Sequence, residues 1–318
     1  MLRTRSVVSI FSIAIMILGA SVVSGQNFPN KPIRILTGSA GGGNDAASRL
    51  IAGGISGSLG QPVIVENRNS AVLSAEVVAN APPDGYTLLL AGDLLWLGPL
   101  LRGQTDAIRD FSPISILLIT PNILVVHPSL PVKSVKELIA LAKARPGELN
   151  YASAPEGSPD HIAGELFKSM TGVNIVNVHY KGSATVTAVA GGEVQLMFGG
   201  VFLVSAHIKS GRLRALAVTS THPSALVPGL PTVAASGLPG YEVVSFISMW
   251  APAKTPVAIV NQLNREIVRF LGTTEAKYKY LNLGVEVVAS SPEEHAAKIK
   301  SRITVIGKLI KDAGIKVD

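Results

Sequence analysis

IRILTGSAGGGNDAASRLIAGGISGSLGQPVIVEN, residues 33–67, reads as an apolar strand, a glycine-rich loop, an acidic residue, a helix closed by glycine, and a second strand. Residues 149–182, LNYASAPEGSPDHIAGELFKSMTGVNIVNVHYKG, follow the same order, with Asp160 answering Asp45 and Gly172 answering Gly60. Each copy continues through a further helix to another strand, at residues 86–91 and 195–198. Alternation of strand and helix predicts α/β layering around largely parallel sheets. The echo predicts two lobes that set two helix N-termini across a cleft.

Within the first copy, Asn44 or Asp45 is expected to cap a helix that buries Leu50, Ile51, Ile55 and Leu59 and stops at Gly60. Gly53, Gly54 and Gly57 each cost that helix about 1 kcal/mol relative to Ala; close packing on a sheet would rationalise them. Further on, residues 74–80 read as a short helix, Pro82-Pro83-Asp84-Gly85 as a turn, and 123–126 as a strand. Ser134-Val135-Lys136-Glu137 is a capping box opening a helix that Pro146-Gly147 stops. Ser291-Pro292-Glu293-Glu294 repeats the device, with Pro at the first helical position, before a long C-terminal helix.

At 318 residues the chain exceeds one ordinary core, and 47% hydrophobic against 15% charged residues excludes disorder. Arg3 and Arg5 precede an apolar run at residues 7–20 and small residues at 21–25, the layout of a secretory signal. Residues 1–25 are therefore expected to be removed near Gly25-Gln26; the alternative is an uncleaved anchor. With no Cys, a lipid-modified Cys, a disulfide framework and a thiolate metal site are all excluded. Net charge is +7, or 26 − 21 = +5 without the two leader arginines. No basic cluster interleaves with aromatics, which argues against nucleic acid. The six His residues show no i, i+4 pairing, so neither a metal nor another cofactor is called for.

Glycine-rich entries to helix N-termini are anion seats: free N–H groups converge, and the macrodipole adds about half a positive charge. The candidate ligand-binding residues are accordingly Ser39, Ala40, Gly41, Gly42 and Gly43 in the first loop, and Ser153, Ala154, Gly157 and Ser158 in the second. Two ordinary connecting loops are the alternative. Asp45, His161 and Asp93 complete the candidate set; Asp45 and Asp160 read as caps before they read as ligands, and Asp93 equally as a solvated turn. Asp93 follows a strand at its carboxyl end, where α/β crevices take ligands. If it faces the cleft, the ligand is expected to bring a hydrogen-bond donor or ammonium there. Neither loop carries G-x-G-x-x-G or ends in G-K-S/T, and Ser158 with His161 lacks an orienting acid. A serine hydrolase using Ser158 or Ser153 is the remaining alternative, discounted for want of an oriented base, and catalysis is not expected.

Ten segments in order then carry a family resemblance, among them FPNKPIRIL, GGGND, LGQPVIVENR, APPDGYTLL, GSPDHIAGELFK, HYKGSATVTAVAGGEVQLMF and APAKTPVAIVNQLN. From Phe28 onward the chain resembles the periplasmic solute receptors of tripartite tricarboxylate transporters, the Bug family. The resemblance implies a two-lobed class II periplasmic-binding fold, each lobe a mixed sheet flanked by helices. Lobe 1 would take residues 26–124 and 224–318, and lobe 2 residues 125–223, joined by a two-strand hinge near 123–126 and 213–219. It also implies a small organic acid, amino acid or aromatic acid held by the two loops. A monomer delivering it to membrane permease subunits is expected, with ligand sensing for a signalling protein as the other use. Departures fall on the pocket wall. Gly38-Ser39-Ala40 replaces an aromatic and prolines, residues 69–74 shorten a glycine-rich stretch, Asp93 replaces a small hydroxyl residue, and Gly199 replaces Asp.

Overall fold

The computed structural model describes residues 28–104 and 108–315; the expected leader and its cleavage point lie outside them. The chain begins β1 (Ile33–Thr37), α1 (Gly43–Leu59), β2 (Val63–Asn67), α2 (Ala71–Ala79), β3 (Thr87–Gly92), α3 (Leu94–Leu101) and β4 (Phe111–Val126). It continues α4 (Val135–Ala144), β5 (Asn150–Ser153), α5 (Pro159–Thr171), β6 (Val176–His179), α6 (Ala184–Ala190), β7 (Leu196–Gly200), α7 (Val201–Lys209) and β8 (Arg214–Val218). It closes with β9 (Val244–Pro252), α8 (Val257–Leu271), α9 (Thr274–Asn282), β10 (Glu286–Val287) and α10 (Pro292–Ala313).

Strand order β2-β1-β3-β9-β4-β7-β5-β6 makes one path of two halves that share β4. Phe111 to Pro121 of β4 pair antiparallel with β9, whereas Asn122 to Val126 pair antiparallel with β7 and β8. The strand is far longer than the stretch 123–126 expected from sequence. Pro113 and Pro121 lie inside it: the ladder slips register beside Pro113, and Pro121 sits where the partner changes. Proline is tolerated at such irregularities because no ladder N–H is demanded there.

This topology aims both loops at the junction. β1 and β3 run parallel to each other and β3 is antiparallel to β9, so both point the way β4 runs, toward the second half. β5 runs parallel with β7, which opposes β4, so its carboxyl end points back toward the first half. Through the ladders, the end of β3 at Gly92 lies level with Leu118 of β4, and Ala152 of β5 lies level with Val125. Those two levels stand roughly 23 Å apart along the strand. Loops leaving β1 and β5 therefore flank one gap from opposite sides.

Thr219 laces the junction. Asn122 N donates to its Oγ1 at 2.8 Å, Thr219 Oγ1 donates to Val243 O at 2.5 Å, and Val243 N returns to Thr219 O at 3.0 Å. All three residues are buried. One hydroxyl thus serves the outgoing strand and the returning chain together.

Local starts follow the sequence closely at the serine caps. Ser291 and Glu294 form the full capping box at α10. Ser134 Oγ accepts from Glu137 N at 3.2 Å, but Glu137 reaches back to Lys133 N at 2.7 Å, one residue earlier than a strict box requires. At α1 the expected cap by Asn44 or Asp45 is corrected: Gly42 is the N-cap and Asp45 stands in the first turn. A Cβ on Gly54 would meet the Phe270 ring at 2.2 Å, so that glycine admits α8, not a sheet. Gly53 and Gly57 face open space, and nothing in the structure explains them.

Candidate functional site

The two glycine-rich loops are built alike. Gly41 has φ 79° and Gly157 φ 80°, a left-handed turn that favours glycine. Extended N-caps follow, Gly42 (φ −83°, ψ 170°) and Ser158 (φ −66°, ψ 156°), and then the helices begin. In each case the third helical residue reaches back to the left-handed glycine. Gly41 N donates to Asp45 Oδ2 at 2.8 Å, and Gly157 N donates to His161 Nδ1 at 3.2 Å. The structural counterpart of Asp45 is therefore His161, not Asp160 as the sequence alignment of the two copies suggests. Asp160 adds a second brace by accepting Ala154 N at 2.7 Å.

Those braces leave the helix ends open. The first backbone bond of α1 runs from Ala46 N to Gly42 O, so the N–H groups of Gly43, Asn44 and Asp45 have no carbonyl within the helix. In α5 the first such bond is Ile162 N to Ser158 O; Pro159 has no N–H, leaving those of Asp160 and His161. Ser39, Ala40, Gly41, Gly42 and Gly43 are exposed at the junction. Ser39 Oγ donates to Asn69 O at 3.2 Å.

Side chains around the loops separate into braces and open groups. Asp45 is a brace. Its Oδ1 accepts Asn67 Nδ2 at 3.0 Å and pairs with Arg49 Nε at 2.9 Å, and its backbone bond from Gly41 is the first cause holding its pKa below the usual range. Asn67 also donates to Gly38 O at 2.9 Å, tying β2 to the first loop. Ser153 is buried and donates to Ala154 O at 2.8 Å. His179 Nδ1 lies 3.2 Å from Ser153 Oγ but also 3.1 Å from Ala154 O, a pure acceptor. That nitrogen therefore carries its proton and cannot take one from Ser153.

Ser158 Oγ and His161 Nε2 are the open groups. Ser158 Oγ is buried without a partner. Since His161 Nδ1 accepts from Gly157, the ring proton sits on Nε2. Burial pushes the imidazole pKa down and keeps the ring neutral, a donor through Nε2–H.

Asp93 lies at the start of α3, where β3 ends, as expected from sequence. Its surroundings differ from a solvated turn: Oδ1 accepts Trp96 Nε1 at 3.1 Å and Oδ2 accepts Phe246 N at 3.2 Å. Burial raises its pKa to about 6 despite the opposing field of Arg302. Arg302 is itself buried, donating to Glu242 O at 2.7 Å and Val244 O at 3.0 Å. Balancing Arg302 and receiving Trp96 and Phe246 gives the Asp93 carboxylate internal work, so a donor on the ligand is no longer needed to explain it. Arg302 was missed in the sequence, although its spacing with Ile299, Ile306 and Leu309 places it on the buried face of α10. Among the described residues no group of three His, Asp or Glu could hold a metal ion.

Two half-sheets sharing a strand, with paired helix N-termini at their junction, define a two-lobed solute-binding protein. The profile of the tripartite tricarboxylate transporter family receptors (TctC) matches residues 47–315, and the chain belongs to that family. Protein BugT of Bordetella pertussis is 33% identical, covering 100% of this chain and 99% of its own length. A UPF0065 protein of Pseudomonas sp. strain P51, from the tcbD–tcbE intergenic region, is 34% identical over 89% of this chain and 86% of its own. The R. palustris protein Rpa4515, solved with adipate, is 34% identical with TM-score 0.65, covering 91% and 99% of the two chains. MatC of Rhodopseudomonas palustris, solved with malate, is 25% identical with TM-score 0.63, covering 89% and 100%. The periplasmic binding protein BugD is 30% identical with TM-score 0.63, covering 91% and 99% of the two chains. Among the described residues, no helix is long and apolar enough to cross a membrane.

Proposed function

We propose that this chain is an extracytoplasmic receptor that captures a small carboxylate at the lobe junction and hands it to the permease of a tripartite tricarboxylate transporter. The observation that carries the reading is the matched pair of helix N-termini, each with open N–H groups and each aimed at the same gap. A carboxylate entering there meets Gly43, Asn44 and Asp45 N–H from one side, and Asp160 and His161 N–H with Ser158 Oγ from the other. Each charged hydrogen bond contributes about 1.5–3 kcal/mol, so several suffice for micromolar binding near −8 kcal/mol. Ligand joining both sides favours the closed arrangement by its greater affinity for it, with the Thr219 junction as hinge. The adipate and malate found with its relatives are in keeping with this chemistry. Export through the leader at residues 1–25 and a monomeric state belong to the same proposal.

A thermal-shift panel tests it: acetate, succinate, malate, adipate, hexanoate and benzoate, with hexylamine and glucose as controls. At a hundredfold excess over Kd, a ligand stabilises by about 2.7 kcal/mol, expected to raise the melting temperature by about 5 °C. At least one carboxylate should do so and neither control should. A panel in which no acid shifts the transition contradicts the reading.

A further inference from the structure

A cavity of 430 Å³ opens beside the first loop, between α2 and α3, wholly within the first half of the molecule. Asn44 stands at its inner end, next to the α1 N-terminus; Asp93 beside it has both carboxylate oxygens taken by Trp96 Nε1 and Phe246 N, with Arg302 opposing its charge. Much of the cavity wall is small or apolar, with Ala75 and Ala79 contributed by α2 and Leu95, Gly98 and Pro99 by α3. Val72 and Leu94, which also line it, are 59% and 69% exposed, apolar surface that a bound body would cover. The volume lies in the ordinary range for small-molecule pockets, and the lining has the usual proportion of apolar wall to a few polar groups.

We propose that this cavity holds the apolar body of the ligand, making the preferred solute a monocarboxylate with an aliphatic chain or aromatic ring of about six carbons or more. The inference rests on the receptor reading above and narrows it. The carboxylate lies at the α1 N-terminus by Asn44, and the body runs between Ala75 and Gly98. A second carboxylate is disfavoured, because Glu76 and Asp110 outnumber Arg102 in the rest of the lining.

Calorimetric titration of the full mature chain with hexanoate, 4-phenylbutyrate, adipate and succinate tests it, in the parent and in two variants. Gly98→Leu fills the cavity from α3, where a Cβ meets nothing nearer than the Arg102 guanidinium at 3.7 Å. Ala75→Leu fills it from α2. Hexanoate and 4-phenylbutyrate should bind at least tenfold tighter than adipate and succinate to the parent. Each variant should weaken the two long monocarboxylates at least tenfold and leave succinate within twofold. Adipate binding tighter than hexanoate, or long acids unaffected by both variants, overturns the proposal while the receptor reading stands. Failure of all four acids to bind the parent overturns both.

Discussion

Gly42→Asp weakens carboxylate binding by roughly 10²- to 10⁴-fold and leaves the unliganded protein at least as stable as the parent. The reason lies in the backbone. Gly42 is an N-cap with extended φ and ψ that any residue adopts, and a Cβ there stands 3.5 Å from Ser39 O, an ordinary contact. Asp is among the preferred N-caps, so its carboxylate folds onto the open N–H groups of α1 and stabilises the helix. It thereby occupies the seat that the ligand needs. Two charged hydrogen bonds lost amount to about 3–6 kcal/mol, which gives the expected fold-change. Gly157→Asp would be a poorer probe, because its φ of 80° adds strain independent of charge. Calorimetry on Gly42→Asp, with Gly42→Ala as the uncharged control, reads the effect directly. Equal affinity in all three proteins would show that the first loop only connects β1 to α1.

His295→Leu is expected to stabilise the fold at neutral pH and to remove an acid-sensitive step. His295 is fully buried against Trp250, with ring centroids 4.2 Å apart, and neither ring nitrogen has a partner. Burial pushes its pKa down from 6.5 to about 3. The unfolded chain therefore takes up the proton first, so stability is present above pH 6.5 and falls as pH drops toward 3. From pH 7 to pH 4 this amounts to about 3 kcal/mol. Asp93 runs the other way. Its folded pKa of about 6 lies above the unfolded value of 3.8, so it favours folding as pH falls from 6 to 4. The difference between variant and parent isolates His295 from that opposing trend. Removing two unpaired polar atoms should gain about 1–3 kcal/mol at pH 7, and the gap should widen by about 3 kcal/mol by pH 4. Urea unfolding at the two pH values measures it; a gap of constant size would mean that His295 does not titrate between them.

What could be read beforehand was what local chemistry specifies. Ser291 with Glu294 and Ser134 with Glu137 announce helix starts because side chain and backbone partners lie within three or four residues. The alternation of strands and glycine-rich loops placed both helix N-termini, and the topology turns both toward one junction. What escaped depends on partners distant along the chain. Gly54 is small for Phe270, Asp93 is held by Phe246 and balanced by Arg302, and Asn67 binds a loop some thirty residues upstream. No window of sequence contains both members of such a pair. The pairing of the two copies failed by one residue for a similar reason. Asp160 and Asp45 are the same residue type, but the bond to the left-handed glycine is made from the third helical position, which His161 fills. The length of β4 also escaped, because its ladder is set by β9, β7 and β8, all far along the chain.

The central claim is that a carboxylate is held by the open N–H groups of two helices facing one gap. Backbone ¹H–¹⁵N shift mapping, during titration with the tightest-binding acid of the panel, tests this most directly. The amides of Gly43, Asn44, Asp45, Asp160 and His161 should move together along one saturation curve, because one ligand bridges both helix ends. Saturable binding that leaves these five amides in place, with shifts confined to another surface, would contradict the account.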